Sequence, residues 1–223
     1  MRLATPAAIA TCATLALGAA ACGSDSSSSS GGSKSASSSS TPKPAAQIDQ
    51  LSGRDTAVAL DGGFVKALTS LKLTPAPVGD AKISSAGTAA FPITGGNVTY
   101  YKPGTVSPYV QGKIDHSGSG LSLTGGGKKV QLTNFVIDPG KSVLTGKVTV
   151  DGKVAAPSAP LFFLDGRTLK PLESKSNGTA VLEGTTVKLK AEAADLLNQT
   201  FGVDALKEGL VIGVAKITVN TKA

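Results

Sequence analysis

Between Tyr109 and Val150 apolar residues recur at every second position in short runs: Val110/Gly112/Ile114, Leu121/Leu123, Val130/Leu132 and Leu144/Gly146/Val148/Val150. A period of two puts alternate side chains on one face, the signature of a half-buried strand and not of a helix. Glycine-rich breaks separate the runs at Ser117–Gly120 and Gly125–Gly127. Glycine adopts the positive φ that tight turns need, so both breaks read as hairpin turns of an antiparallel meander. Val130/Leu132 and Phe135/Ile137 are out of phase by one residue, which predicts a bulge near Thr133-Asn134. The single histidine, His116, stands at the mouth of the first break, so any chemistry that needs an imidazole belongs there.

The flanking sequence adds strands and two helices. Thr56–Leu60 reads as a strand, and Asp61 is placed to cap a short helix over Gly62–Leu71, in which Phe64, Leu68 and Leu71 share a face. Ile83–Ile93 reads as one or two strands, Thr94–Asn97 as a turn, and Val98–Tyr101 as another strand. Asp151-Gly152 is a strong hairpin signal. Leu161–Leu164 is apolar on both faces, as in a strand buried between layers. Ala180–Glu183 and Thr186–Leu189 continue the strand pattern. Ala193, Leu196, Leu197 and Phe201 fall at helical spacing, with Gly202 placed to end that helix. Leu210–Val219 closes the chain as a long strand. The expected fold class is mainly β, an antiparallel β-sandwich or open barrel with two short helices.

The two ends of the chain differ sharply in composition. Residues 1–21 carry a positive start at Arg2 and an apolar run from Ala7 to Ala21, the pattern of an export signal. Ala19-Ala20-Ala21 directly before Cys22 resembles the lipobox of bacterial lipoproteins, in which that cysteine is acylated after cleavage. Ala19 stands where the motif usually carries a larger residue, and the alternative is an ordinary cleavage site with Cys22 incidental. Cys12, the other cysteine, falls inside the removed segment, so the mature domain is expected to contain no disulfide and no thiolate site. Residues 22–45 follow as a Ser-rich tether behind the lipidated cysteine, with too few apolar side chains to order itself. Residues 46–223 are long enough for a single domain with its own core. No later apolar run reaches the roughly 18–20 residues that span a bilayer. The expected location is the extracellular face of the cell membrane, held by a lipid anchor.

Charge narrows the partners. The formal net charge is +7, but the lysines are spread singly, with Lys128-Lys129 the only adjacent pair after the tether, a distribution that serves solubility and protects sheet edges. Arg54 and Arg167 are the only arginines of the domain, which speaks against a nucleic-acid reader. Weak attraction to an anionic envelope polymer is left as a partner. No nucleophile elbow is present, and one histidine cannot build the common zinc sites. Asp115, Asp138, Asp151 and Asp165 fall beside turns, where carboxylates bond local amides. Gly125–Lys129 lacks the spacing and the following helix of a phosphate loop. A binding module, and not an enzyme, is expected.

One stretch carries more than pattern. Gly112-x-Ile114-x-His116-Ser-Gly118-x-Gly120-Leu121-x-Leu123, followed by Val130-x-Leu132-Thr-Asn134-Phe135-x-Ile137-Asp138, resembles the haem-transport-associated (HtaA) domain of actinobacterial envelope proteins. Phe91–Gly96 and Leu161–Leu164 extend the likeness over most of the domain. The resemblance implies an extracellular β-rich module that takes up haem, with a tyrosine on the iron and a histidine supporting it. His116 matches the supporting histidine. The family's tyrosine lies near the first helix, where Phe64–Leu68 has none, so the phenols left for that role are Tyr100, Tyr101 and Tyr109. Two further readings stay open: His116 as a half-exposed residue bonded to a neighbouring carbonyl beside its turn, and the whole chain as a structural or adhesive envelope protein without a small ligand.

Overall fold

The structure, a computed structural model, describes residues 42–221. The expected signal segment, Cys22 and the tether up to residue 41 lie outside the described residues. In chain order the elements are β1 (Ala46–Ile48), β2 (Arg54–Leu60), α1 (Gly62–Ser70), β3 (Thr74–Gly79), β4 (Lys82–Ile83), β5 (Thr88–Pro92), β6 (Gly95–Tyr100), β7 (Val110–Gly125), β8 (Lys128–Asp138), β9 (Val143–Val150), β10 (Lys153–Asp165), β11 (Glu173–Lys175), β12 (Thr179–Leu189), α2 (Ala191–Phe201) and β13 (Val211–Asn220). Single 3-10 turns follow β8 at Pro139–Lys141 and β10 at Gly166–Thr168.

Every strand belongs to one antiparallel sheet, ordered β1-β6-β7-β8-β9-β10-β12-β13-β2-β5-β4, with β3 added to β7 and β11 to β12. The sheet curls into a half-barrel. The expectation of a mainly β antiparallel fold with two short helices holds, and the open barrel describes how the single sheet is arranged. Asp61 caps α1 as anticipated, accepting hydrogen bonds from the amides of Gly63 (2.7 Å) and Phe64 (3.2 Å). Gly202 ends α2 in the left-handed conformation at φ 67°. The helix α2 packs on β8 and β10, and α1 on β3 and β13. Leu123, Val130, Leu132, Val148, Leu161 and Leu189 join Phe64, Leu68, Ala193, Ala194 and Leu197 in one continuous buried cluster.

The first glycine-rich break is not a hairpin turn. The strand β7 runs straight through Ser117–Gly120, and both of its halves pair with β8: His116 opposes Phe135, and Gly120 opposes Thr133. Three residues, Ser117 to Ser119, therefore face the single residue Asn134, a bulge larger than the usual two-against-one kind, which bends β7 without reversing it. Asn134 takes φ 52°, and its Oδ1 accepts a hydrogen bond of 3.0 Å from the Gly118 amide. Because the bulge is odd in number on both strands, the inward phase switches: Ile114 and His116 on one side, Leu121 and Leu123 on the other, and likewise Leu132 then Phe135 in β8. The bend also lets β7 serve two partners, β6 along its first half and β3 along its second. The expected bulge at Thr133-Asn134 is thus present, with a larger one opposite it.

One smaller expectation is corrected. Thr94–Asn97 is not a free turn, since Gly95–Asn97 already pair with Lys113–Asp115. The strand at Leu161–Leu164 is buried at Leu161, Phe162 and Leu164, as expected of a run covered on both faces, and opens to solvent only at Phe163, which is 44% exposed.

Candidate binding cavity

The inward face of the curled sheet encloses a pocket. There a cavity of about 910 Å³ is lined mostly by apolar side chains, among them Val58, Phe91, Ile114, Leu121, Phe135, Ile137, Leu144, Phe162, Leu164, Val187 and Ala215. Phe91 and Phe135 meet edge to face, ring centroids 5.2 Å apart at 80°, a geometry that aligns ring edge with ring face. At the rim stand β1, Ser107–Tyr109, Pro139, Ser142, Asp165–Arg167, Leu172 and Thr221. The size and lining are those of a small-molecule site.

His116 is placed on this cavity by β7, one residue before the bulge. It is 1% exposed, which corrects the reading of a half-exposed residue beside a turn. The physical reason is the bulge itself: because β7 does not turn, His116 keeps the inward phase of Ile114. Its Nε2 shares a hydrogen bond of 2.9 Å with the hydroxyl of Thr56 on β2. Its Nδ1 is buried with no hydrogen-bond partner. Burial pushes the imidazole pKa down to about 4, against the opposing influence of the Phe135 and Ile114 backbone and the Asp115 carboxylate, so the ring is neutral at pH 7.

The three tyrosines gather at the far end of β7. Tyr100 and Tyr109 stack edge to face with centroids 5.7 Å apart at 87°, and both line the cavity. Tyr101 is held beside them by its backbone amide on the Tyr109 carbonyl at 2.7 Å, but its side chain does not line the cavity. Seven residues separate Tyr109 from His116, about 23 Å along an extended strand, further than a phenol and an imidazole can bridge. Tyr100 pairs with Val110 and so belongs to the same distant end. The structure therefore brings Tyr100 and Tyr109 together and leaves His116 apart from both.

The cavity lining also includes a charged cluster that sequence reasoning treated as turn chemistry. Asp165, 8% exposed in its side chain, does accept from the backbone amide of Arg167 at 3.2 Å. It also receives Arg167 Nε at 2.9 Å, Arg167 Nη2 at 2.6 Å and Lys188 Nζ at 2.8 Å. The Arg167 guanidinium, then the Lys188 ammonium, holds its carboxyl well below the usual carboxylate range. Thr56 and Arg167 are the residues missed from sequence. A threonine inside a β-branched strand and an arginine two residues past an aspartate carry no distinctive pattern.

No protein-family model and no curated protein matches the chain. Among solved structures, the C-terminal domain of HtaA from Corynebacterium glutamicum is similar over 77% of this chain and 98% of that domain, with a TM-score of 0.50 and 13% identity. The fold is that of an HtaA domain. A domain-swapped dimer of a variant of the same Corynebacterium domain aligns with 73% of this chain and 94% of its own, at a TM-score of 0.44 and 14% identity.

The HtaA-like fold allows the implied haem site to be tested on the residues present. A phenolate supported by a histidine is not assembled: the hydroxyl on His116 belongs to Thr56. Burial, followed by the neighbouring Tyr100, raises the Tyr109 pKa. The donor set does not fit that group, although the cavity itself accommodates a bulky apolar body. Among the described residues there is also no cluster of three or more His, Cys, Asp or Glu positioned to hold a metal ion.

Proposed function

We propose that this chain is a non-catalytic binding module of the cell envelope that admits one bulky, predominantly apolar ligand into the cavity of its half-barrel. The observation that carries the reading is the 910 Å³ cavity with its mostly apolar lining. The module is proposed to be held at the outer membrane face by a lipid on Cys22, on the strength of the apolar run and the small residues before that cysteine.

Haem is the specific ligand that the fold relationship raises. On the geometry above, hemin would enter as an apolar macrocycle without tyrosinate ligation. Titration of the purified chain with hemin and with a neutral apolar dye distinguishes the outcomes. Saturable binding of the dye, displaced by hemin, with a Soret spectrum unchanged by Tyr100→Phe or Tyr109→Phe, is expected. A Soret shift abolished by either substitution would restore iron ligation by the phenol. Binding of neither probe would favour a structural envelope protein that uses the fold without a ligand.

A further inference from the structure

We infer that the ligand carries a carboxylate and binds with it at Arg167, its apolar body directed toward Phe135 and Leu121; this deepens the cavity reading and rests on it. Of the side chains that line the cavity, Asp165 and Arg167 are the charged ones, and both stand at the rim. The deeper lining, from Ile114 and Phe135 to Ala215, is apolar apart from Thr56 and the neutral His116, which already share a hydrogen bond. A charged ligand group sent inward would be desolvated without a partner, so it must stay at the rim.

The sign of that group follows from the cluster. One carboxylate, Asp165, is met by two cations, Arg167 at the cavity and Lys188 outside its lining, so the cluster as a whole carries a net positive charge and Asp165 does not neutralise Arg167 alone. Asp165 has its acceptor capacity taken up by four donors from these two residues, leaving nothing to attract a cation. Arg167 uses Nε and Nη2 on Asp165, which leaves Nη1 for another acceptor. Its side chain is 82% exposed at the mouth, while the buried aspartate fixes the plane of the guanidinium. A planar, pre-oriented guanidinium is suited to a carboxylate. The same chemistry is offered by a fatty acid and by a flat macrocycle that bears carboxylates.

The test compares a fluorescent long-chain fatty acid, the corresponding alcohol, and hemin on the purified chain and on Arg167→Gln and Arg167→Lys. The expected result is tighter binding of the acid than of the alcohol by about tenfold, the size of one charge-assisted contact. Arg167→Gln should remove that preference while the alcohol binds as before, and Arg167→Lys should keep part of it. Added salt should weaken the acid and not the alcohol. Hemin displaced by the fatty acid, with the same dependence on Arg167, identifies a mouth that reads the carboxylate on either body; Arg167-dependent binding of only one of them assigns the source. Acid and alcohol binding equally, or acid binding unchanged in Arg167→Gln, overturns the carboxylate inference and leaves the cavity reading intact. No binding of any probe overturns the cavity reading itself.

Discussion

The buried imidazole of His116 makes stability depend on pH in a window set by this one residue. Its pKa is about 4 in the folded chain, against roughly 6.5 for a solvated histidine. The unfolded state therefore binds the proton more readily, and stability is lost as pH falls below about 6.5. At pH 4.5 the unfolded ring is almost wholly charged and the folded ring mostly neutral. Linkage between pH 7.5 and 4.5 gives a loss of about 2.5 kcal/mol. With a urea m-value near 2 kcal/mol/M for a domain of this size, the unfolding midpoint should fall by roughly 1 M. The carboxylates of Asp138 and Asp165, whose pKa values are lowered, lose their contribution mainly below this window. The assay is urea unfolding followed by circular dichroism at both pH values, on the natural chain and on His116→Leu. The variant is expected to be less stable at pH 7.5, because the Thr56 hydroxyl loses its partner, yet to show little of the 1 M shift. Equal shifts in both proteins would refute the argument that a buried neutral imidazole governs the window.

Three other outcomes are expected, two from the same geometry and one from the proposed lipid anchor at Cys22. Asn134→Val should cost about 2–3 kcal/mol in urea unfolding, from the left-handed backbone and the lost Gly118 contact, whereas Asn134→Gly should cost about 1 kcal/mol. Gly79 has φ 61°, and a Cβ there would overlap the Gly118 carbonyl across the bulge; Gly79→Ala should broaden or abolish cooperative unfolding, while alanine at Gly87, where a Cβ meets open space, should cost only its backbone strain. Cys22→Ser should release the protein from membranes and abolish incorporation of radiolabelled palmitate in the producing cells, and retention of label in the variant would refute acylation at that residue.

Residue pattern alone decided a good deal. The two-residue period marks the strands, Asp61 and Gly202 mark the ends of the helices, and the phase slip at Thr133-Asn134 marks a bulge, because each is a local demand of backbone geometry on side-chain type. The Ser117–Gly120 break misled for the same reason: glycine permits both a reversal and a bulge, and only the strand waiting on the far side selects between them. Here β8 pairs with both halves of β7, so the chain bends and does not turn. That choice carried His116 inside.

What the tertiary structure decided is what His116 meets and what it does not. It stands 60 positions along the chain from Thr56, and neither residue announces the other. The tyrosines are near His116 in number and far from it in space, since an extended strand spends every residue on distance. The cavity, too, has no signature in the sequence, because a side chain that lines a space and one that fills it obey the same alternation; only the curvature of the whole sheet, summed over all its pairings, determines whether the inward faces touch.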